Sequence, residues 1–130
     1  MKPVLLDTNA LAMILTDDPR LPEQAKNIIS KAPRASVSAI TFYEIGQKVR
    51  LGKWEAMAEF AANLVDITIG DGFNLISLSS KTANDASLLE WSHRDPFDRM
   101  IAAVAINEDA DLISSDDAFD ELEAIKRIWA

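Results

Sequence analysis

Two rhythms of apolar residues run along this chain. One is the short unbroken run bounded by turn chemistry, first met at Val4-Leu5-Leu6, which suits a strand buried on both faces of a parallel sheet. The other recurs every three to four residues and suits amphipathic helices. Read together they predict a strand over 3–6, a helix over 7–18, a loop bracketed by Pro19 and Pro22, and a helix over 22–32. A second strand follows over 34–39. A helix over 40–53 spreads Ile40, Tyr43, Ile45, Val49 and Leu51 along its length and stops near Gly52. The segment 54–69 predicts one further helix, closed by the turn Gly70-Asp71-Gly72.

The second half repeats the alternation. A strand is predicted over 73–78, a helix over 79–93 capped by Ser79 or Ser80, and a helix over 95–110 with Pro96 in its first turn. A strand over 111–115, a short helix over 116–122 and a last edge strand over 125–129 complete the chain. Strands alternating with helices predict an α/β fold, a sheet covered on both faces. The expected organisation is a single domain, 1–130, with no repeat or linker.

Composition narrows the function. The chain is 48% hydrophobic and 26% charged, as expected of an ordinary globular protein. No apolar stretch reaches the roughly 18–20 residues of a membrane span, and the N-terminus lacks the pattern of an export signal. A cytoplasmic location is therefore expected. With no cysteine, disulfides, zinc-thiolate sites and thiol nucleophiles are excluded. The net charge is −8, from 21 Asp and Glu against 13 Lys and Arg, so simple charge neutralisation of a polyanion is also excluded. Any nucleic-acid contact needs bound cations or a local basic patch.

Ligands of open α/β sheets sit beyond the carboxyl ends of the strands. Asp7 and Asp116 stand at two such ends. Glu44 lies mid-helix among Ile40, Phe42, Tyr43 and Ile45, and Asp95 and Asp98 share one side of a helix start. Carboxylates gathered without a cation repel and take up protons, whereas Mg²⁺ or Mn²⁺ takes oxygen ligands readily. Each residue also has a plain structural role open to it. Asp7, Asp95 and Asp116 can cap helices, Asp95 above all because it precedes Pro96, and Glu44 can face solvent.

The segments "DTNAL" at 7–11, "SVSAITFYEIGQKVRLGK", "HRDPFDRMIAAVA" and "LISSDDAF" resemble, in order and spacing, those of PIN-domain nucleases. The likeness runs from residue 3 to about 128, and the length is similar to that of VapC-type toxins, the ribonuclease halves of bacterial toxin–antitoxin pairs. The resemblance implies a PIN-like three-layer α/β/α sandwich with a central, mostly parallel sheet. It implies that Asp7, Glu44, Asp98 and Asp116 hold one or two Mg²⁺ or Mn²⁺ ions and hydrolyse RNA phosphodiesters, leaving a 3′-hydroxyl and a 5′-phosphate. Glu44 either ligates or orients the attacking water. Asp95 matches an extra acid ranked below Asp98. Thr8, Asn9 and Ser115 match small polar helpers, and Ser114 stands where Thr is common. Asp117 departs from the family, which often has a basic or polar residue there. A cognate antitoxin and a homodimer are the implied protein partners.

Arg94 and Arg99 can meet an RNA phosphate or pair with a nearby acid, and for Arg99 the acid is expected. Lys48, Arg50 and Lys53 gather where a helix dipole also favours cations. His93, the only histidine, is expected to be positional, since an oxygen-ligand site needs no imidazole. Two other readings compete. A phosphotransfer or receiver-like module also uses acids at strand ends, but a haloacid-dehalogenase pattern fails at Asn9 and the receiver positions hold Ser and Asp. A catalytically inactive PIN scaffold is opposed by intact acids at all four positions.

Overall fold

The computed structural model describes residues 1–130. Five strands, β1 (Val4–Leu6), β2 (Ala35–Ser38), β3 (Asn74–Ile76), β4 (Asp111–Ile113) and β5 (Arg127–Ile128), pair in the order β3-β2-β1-β4-β5. Every pairing is parallel, with Leu6 level with Val37 on one side and Ile113 on the other. Six helices accompany them: α1 (Thr8–Leu15), α2 (Glu23–Lys31), α3 (Ala39–Arg50), α4 (Leu64–Gly70), α5 (Ser80–Leu88) and α6 (Pro96–Asn107). This is the α/β/α sandwich the sequence predicts. Its strand order differs from the 2-1-3-4-5 order of receiver domains, which removes the receiver-like alternative.

Side chains alternate across a strand, so the three residues of β1 serve two cores. Val4 and Leu6 join Leu11, Val37, Ile45, Met57 and Ile113 on one face. Leu5 joins Ile101, Val104, Leu112 and Phe119 on the other. Burial on both faces explains why "VLL" carries no polar alternation. From β1 the chain moves outward to β2 and β3, then crosses back to place β4 on the other flank of β1. The gap beyond β1 and β4 is thus the topological switch point, where a crevice opens at the strands' carboxyl ends.

Helix α3 ends in a Schellman turn: Gly52 N–H donates to Val49 O at 3.0 Å and Lys53 N–H to Lys48 O at 2.8 Å. Gly52 supplies the φ of 72° that this turn requires.

Two predicted helices differ from the structure. The segment 54–69 is not one helix but two 3-10 turns, Glu55–Met57 and Ala61–Asn63, followed by α4. Its inward residues Trp54, Met57 and Phe60 are spaced by three, which matches three residues per turn better than 3.6. The helix predicted over 79–93 stops at Leu88, and residues 89–95 form a loop. Arg99 on α6 explains the stop. Its guanidinium donates to the carbonyls of Ala86 (3.0 Å), Ser87 (3.3 Å), Leu89 (2.7 Å), Trp91 (3.0 Å) and His93 (2.9 Å). Carbonyls orphaned at the helix end gain a charged donor there, so the chain can leave the helix without an unpaired group. The Trp91 ring also packs on Phe119, with centroids 5.4 Å apart, drawing the loop onto the core.

Candidate metal centre

The strand-to-helix junction places the first acid. Asp7 takes an extended backbone after β1 and caps α1, its Oδ1 accepting from Ala10 N–H at 2.8 Å. It is only 5% exposed. Burial pushes its carboxyl up to about 6, the charges of Asp98 and Glu44 add to the rise, and the Ser114 hydroxyl and Ala10 N–H oppose it. The expected cap and the expected ligand are therefore one residue: one oxygen is occupied by the backbone while the carboxyl stays within the influence of two others.

Glu44 is buried, not turned to solvent, at 5% exposure. Its Oε2 accepts from Lys48 Nζ at 2.7 Å, one helical turn along α3. Its Oε1 is buried with no partner. Lys48 in turn lies 5.4 Å from the centroid of the Trp54 ring. Lys48 is thus committed to Glu44.

The third and fourth acids come from the second half. Asp95 is exposed and caps α6, its Oδ1 accepting from Phe97 N–H at 2.8 Å and Asp98 N–H at 3.4 Å. Asp98, on the first turn of α6, meets His93 Nε2 at 2.7 Å through Oδ2. Its carboxyl is raised by burial first, with His93 opposing and Asp95 and Glu44 adding. Asp116 caps the 3-10 turn Asp117–Glu121, its Oδ1 accepting from Ala118 N–H at 3.0 Å, while its own N–H donates to Ser114 Oγ at 3.0 Å.

His93, Asp98 and Asp116 offer ligand atoms within 4.8 Å of one another. His93, expected to be positional, places its imidazole against Asp98. The bond to Asp98 raises its pKa, against the effect of burial, and the charges of Asp116 and Asp95 add to the rise. The signal available in the sequence was a lone histidine five residues before an acid, across a proline-started helix. Asp7 and Glu44 stand outside this tight trio; Glu44 is close enough to raise both the Asp7 and the Asp98 carboxyls, and Asp98 raises that of Asp7.

The supporting residues divide. Thr8 is buried, its Oγ1 3.1 Å from Thr41 Oγ1, which ties α1 to α3. Asn9 and Ser115 are exposed and line a cleft of about 350 Å³ with Met13, Arg20 and Trp54. Arg99 pairs with no acid; the acid expected for it is replaced by the five carbonyls of the loop, because its planar fork suits several oxygens better than one. Arg94 is exposed.

This donor set fits a divalent cation. A buried carboxylate oxygen without a partner is costly unless something positive completes it, and a carboxyl raised by its neighbours is relieved by the same charge.

Compared by sequence with curated proteins, the chain has no significant match. The family described as "PIN domain" matches residues 4–125. Among solved structures, DNA-bound VapBC from Salmonella typhimurium is similar at 19% identity and TM-score 0.71, covering 98% of each chain. A toxin–antitoxin complex from Klebsiella pneumoniae is similar at 21% identity and TM-score 0.60, covering 94% of each. VapC20 of Mycobacterium tuberculosis, described as a sarcin-ricin loop cleaving toxin, is similar at 16% identity and TM-score 0.66, covering 98% of this chain and 99% of the other.

Proposed function

This chain belongs to the PIN-domain family, and from that premise we propose that it is a divalent-metal-dependent endoribonuclease, the toxin of a type II toxin–antitoxin pair. One observation carries the reading. Acids from β1, α3, α6 and the end of β4 gather at the switch point, and one of their buried oxygens, Glu44 Oε1, has no protein partner.

Asp7, Asp98 and Asp116 would hold Mg²⁺ or Mn²⁺, with Glu44 beside them. Such an ion supplies an activated water and offsets phosphate charge, which answers how a chain of net charge −8 approaches RNA. The free oxygen of Glu44 is suited to orient that water and receive its proton. Hydrolysis then forms the water oxygen–phosphorus bond and breaks the bond to the 3′-oxygen. The leaving oxygen takes a proton to become the 3′-hydroxyl, and the other fragment keeps the 5′-phosphate. Lys48 holds Glu44 in place.

The proposal includes an antitoxin partner, a homodimer and a cytoplasmic setting. Supporting it, Tyr43 of α3 and Val65 and Ile69 of α4 are exposed apolar residues suited to protein contacts. No helix is long and apolar enough to cross a membrane.

The test is cleavage of an end-labelled single-stranded RNA by purified protein with Mn²⁺, Mg²⁺ or EDTA. Wild type should cut with the ions alone, and Asp98→Asn should lose at least about a hundredfold in rate. Equal cutting in EDTA, or by Asp98→Asn, would remove the reading.

A further inference from the structure

We propose that His93 gives the cation site a nitrogen donor and thereby sets it to favour Mn²⁺ over Mg²⁺. The inference rests on the nuclease reading above and specifies the ion that site takes.

The geometry begins with the trio. His93, Asp98 and Asp116 each present a ligand atom, all within 4.8 Å of one another. Ligand atoms around a six-coordinate ion of this size lie about 3–4 Å apart. The 2.7 Å between His93 Nε2 and Asp98 Oδ2 needs to open by only a few tenths of an ångström to enter that range. An acidic pair alone would not identify a site. Independently, Glu44 Oε1 is buried without a partner in a residue 5% exposed, and its charge reaches both Asp98 and Asp7.

The imidazole is also held in advance. Arg99 takes the His93 carbonyl at 2.9 Å and the Trp91 carbonyl at 3.0 Å, fixing the backbone on either side of Ser92. The Trp91 ring lies against the imidazole, with centroids 4.8 Å apart. Chemistry supplies the last step. Mg²⁺ demands oxygen and keeps its waters, whereas Mn²⁺, though the weakest binder of the first-row transition ions, accepts a nitrogen donor beside oxygen more readily than Mg²⁺ does. A pocket of carboxylates with one imidazole therefore leans toward Mn²⁺.

Pulsed electron paramagnetic resonance on the Mn²⁺-loaded full chain, without RNA, reads the donor directly. Wild type should show coupling to a directly bound nitrogen-14 that His93→Gln lacks. Calorimetry should show His93→Gln weakening Mn²⁺ by at least about tenfold and Mg²⁺ by less than about threefold. Mn²⁺ bound by wild type without nitrogen coupling would overturn the inference, as would equal losses for the two ions. In either case an effect of Asp98→Asn on binding would leave the nuclease reading standing. Failure of wild type to bind either ion would remove both.

Discussion

The two walls of the crevice solve the same electrostatic problem in opposite ways. Asp7 and Glu44 sit on regular elements, a strand end and a mid-helix turn, and are almost fully buried. Their compensation is incomplete: Asp7 is pushed up to about 6 by burial, and one oxygen of Glu44 has no partner. His93, Asp98 and Asp116 sit on a loop and two helix starts, only half-buried; His93 and Asp98 satisfy each other, and Asp116 accepts from the Ala118 N–H. The dry wall stores an unmet demand for positive charge, and the wet wall meets its own with an imidazole. A cation joining the two would relieve the first at the expense of the second's internal bond.

The largest stability effect should come from breaking the dry wall. Asp7 ionises near 3.8 in an unfolded chain and about 6 in the folded one. Between those values the folded state holds the extra proton, so stability falls as pH rises and the full penalty applies above the folded value. The shift corresponds to about 3 kcal/mol. Asp7→Asn keeps an oxygen for the Ala10 N–H, so in cation-free protein it should gain stability of that order at pH 7.5 and none at pH 3.5. Urea unfolding at both pH values measures this, and an equal gain at both would contradict it. The same substitution should abolish RNA cleavage.

Next comes the support of the wet wall. Arg99→Lys keeps the charge but loses the planar fork, and should cost about 2–3 kcal/mol. Amide exchange should accelerate over residues 89–94 well before the rest of α6; uniform acceleration would mean that the loop has no separate dependence on this side chain. A smaller loss, about 1–2 kcal/mol, is expected for Lys48→Met, which leaves Glu44 buried without its ion pair. Mn²⁺ should shrink that loss, because the cation meets the same need. The smallest effect should be Asp95→Ala, about 1 kcal/mol from a lost helix cap, with RNA cleavage changed only a few fold. A loss for Asp95→Ala matching that of Asp98→Asn would place it among the ligands.

The regular framework was legible in the sequence, and the irregular joints were not. "VLL" read as a strand because burial on both faces leaves no polar residue in it, and Pro96 marked the start of α6 because its fixed φ and missing N–H suit a first turn. The placement of Asp7, Asp98 and Asp116 at a strand end and at helix starts was legible by the same local logic, since these are sequence-near features. Glu44 was visible as an acid in an apolar setting, but its buried, half-paired state depends on packing. The end of α5 was not legible, because its cause is Arg99, eleven residues beyond Leu88. The contact of His93 with Asp98 was hidden for the same reason: it is a property of a loop held from outside itself. The 3-10 turns at 55–63 were hidden because spacing by three passes for helical spacing over so short a run.

Arg99 also limits how this chain can vary. With five peptide oxygens of residues 86–93 gathered on one guanidinium, the side chains of that stretch are freer to change than its number of residues. A single insertion there would carry the imidazole out of step with its partners, whereas exchange of exposed Ser92 or Arg94 would leave the spacing intact. Length, more than identity, is what this loop must inherit.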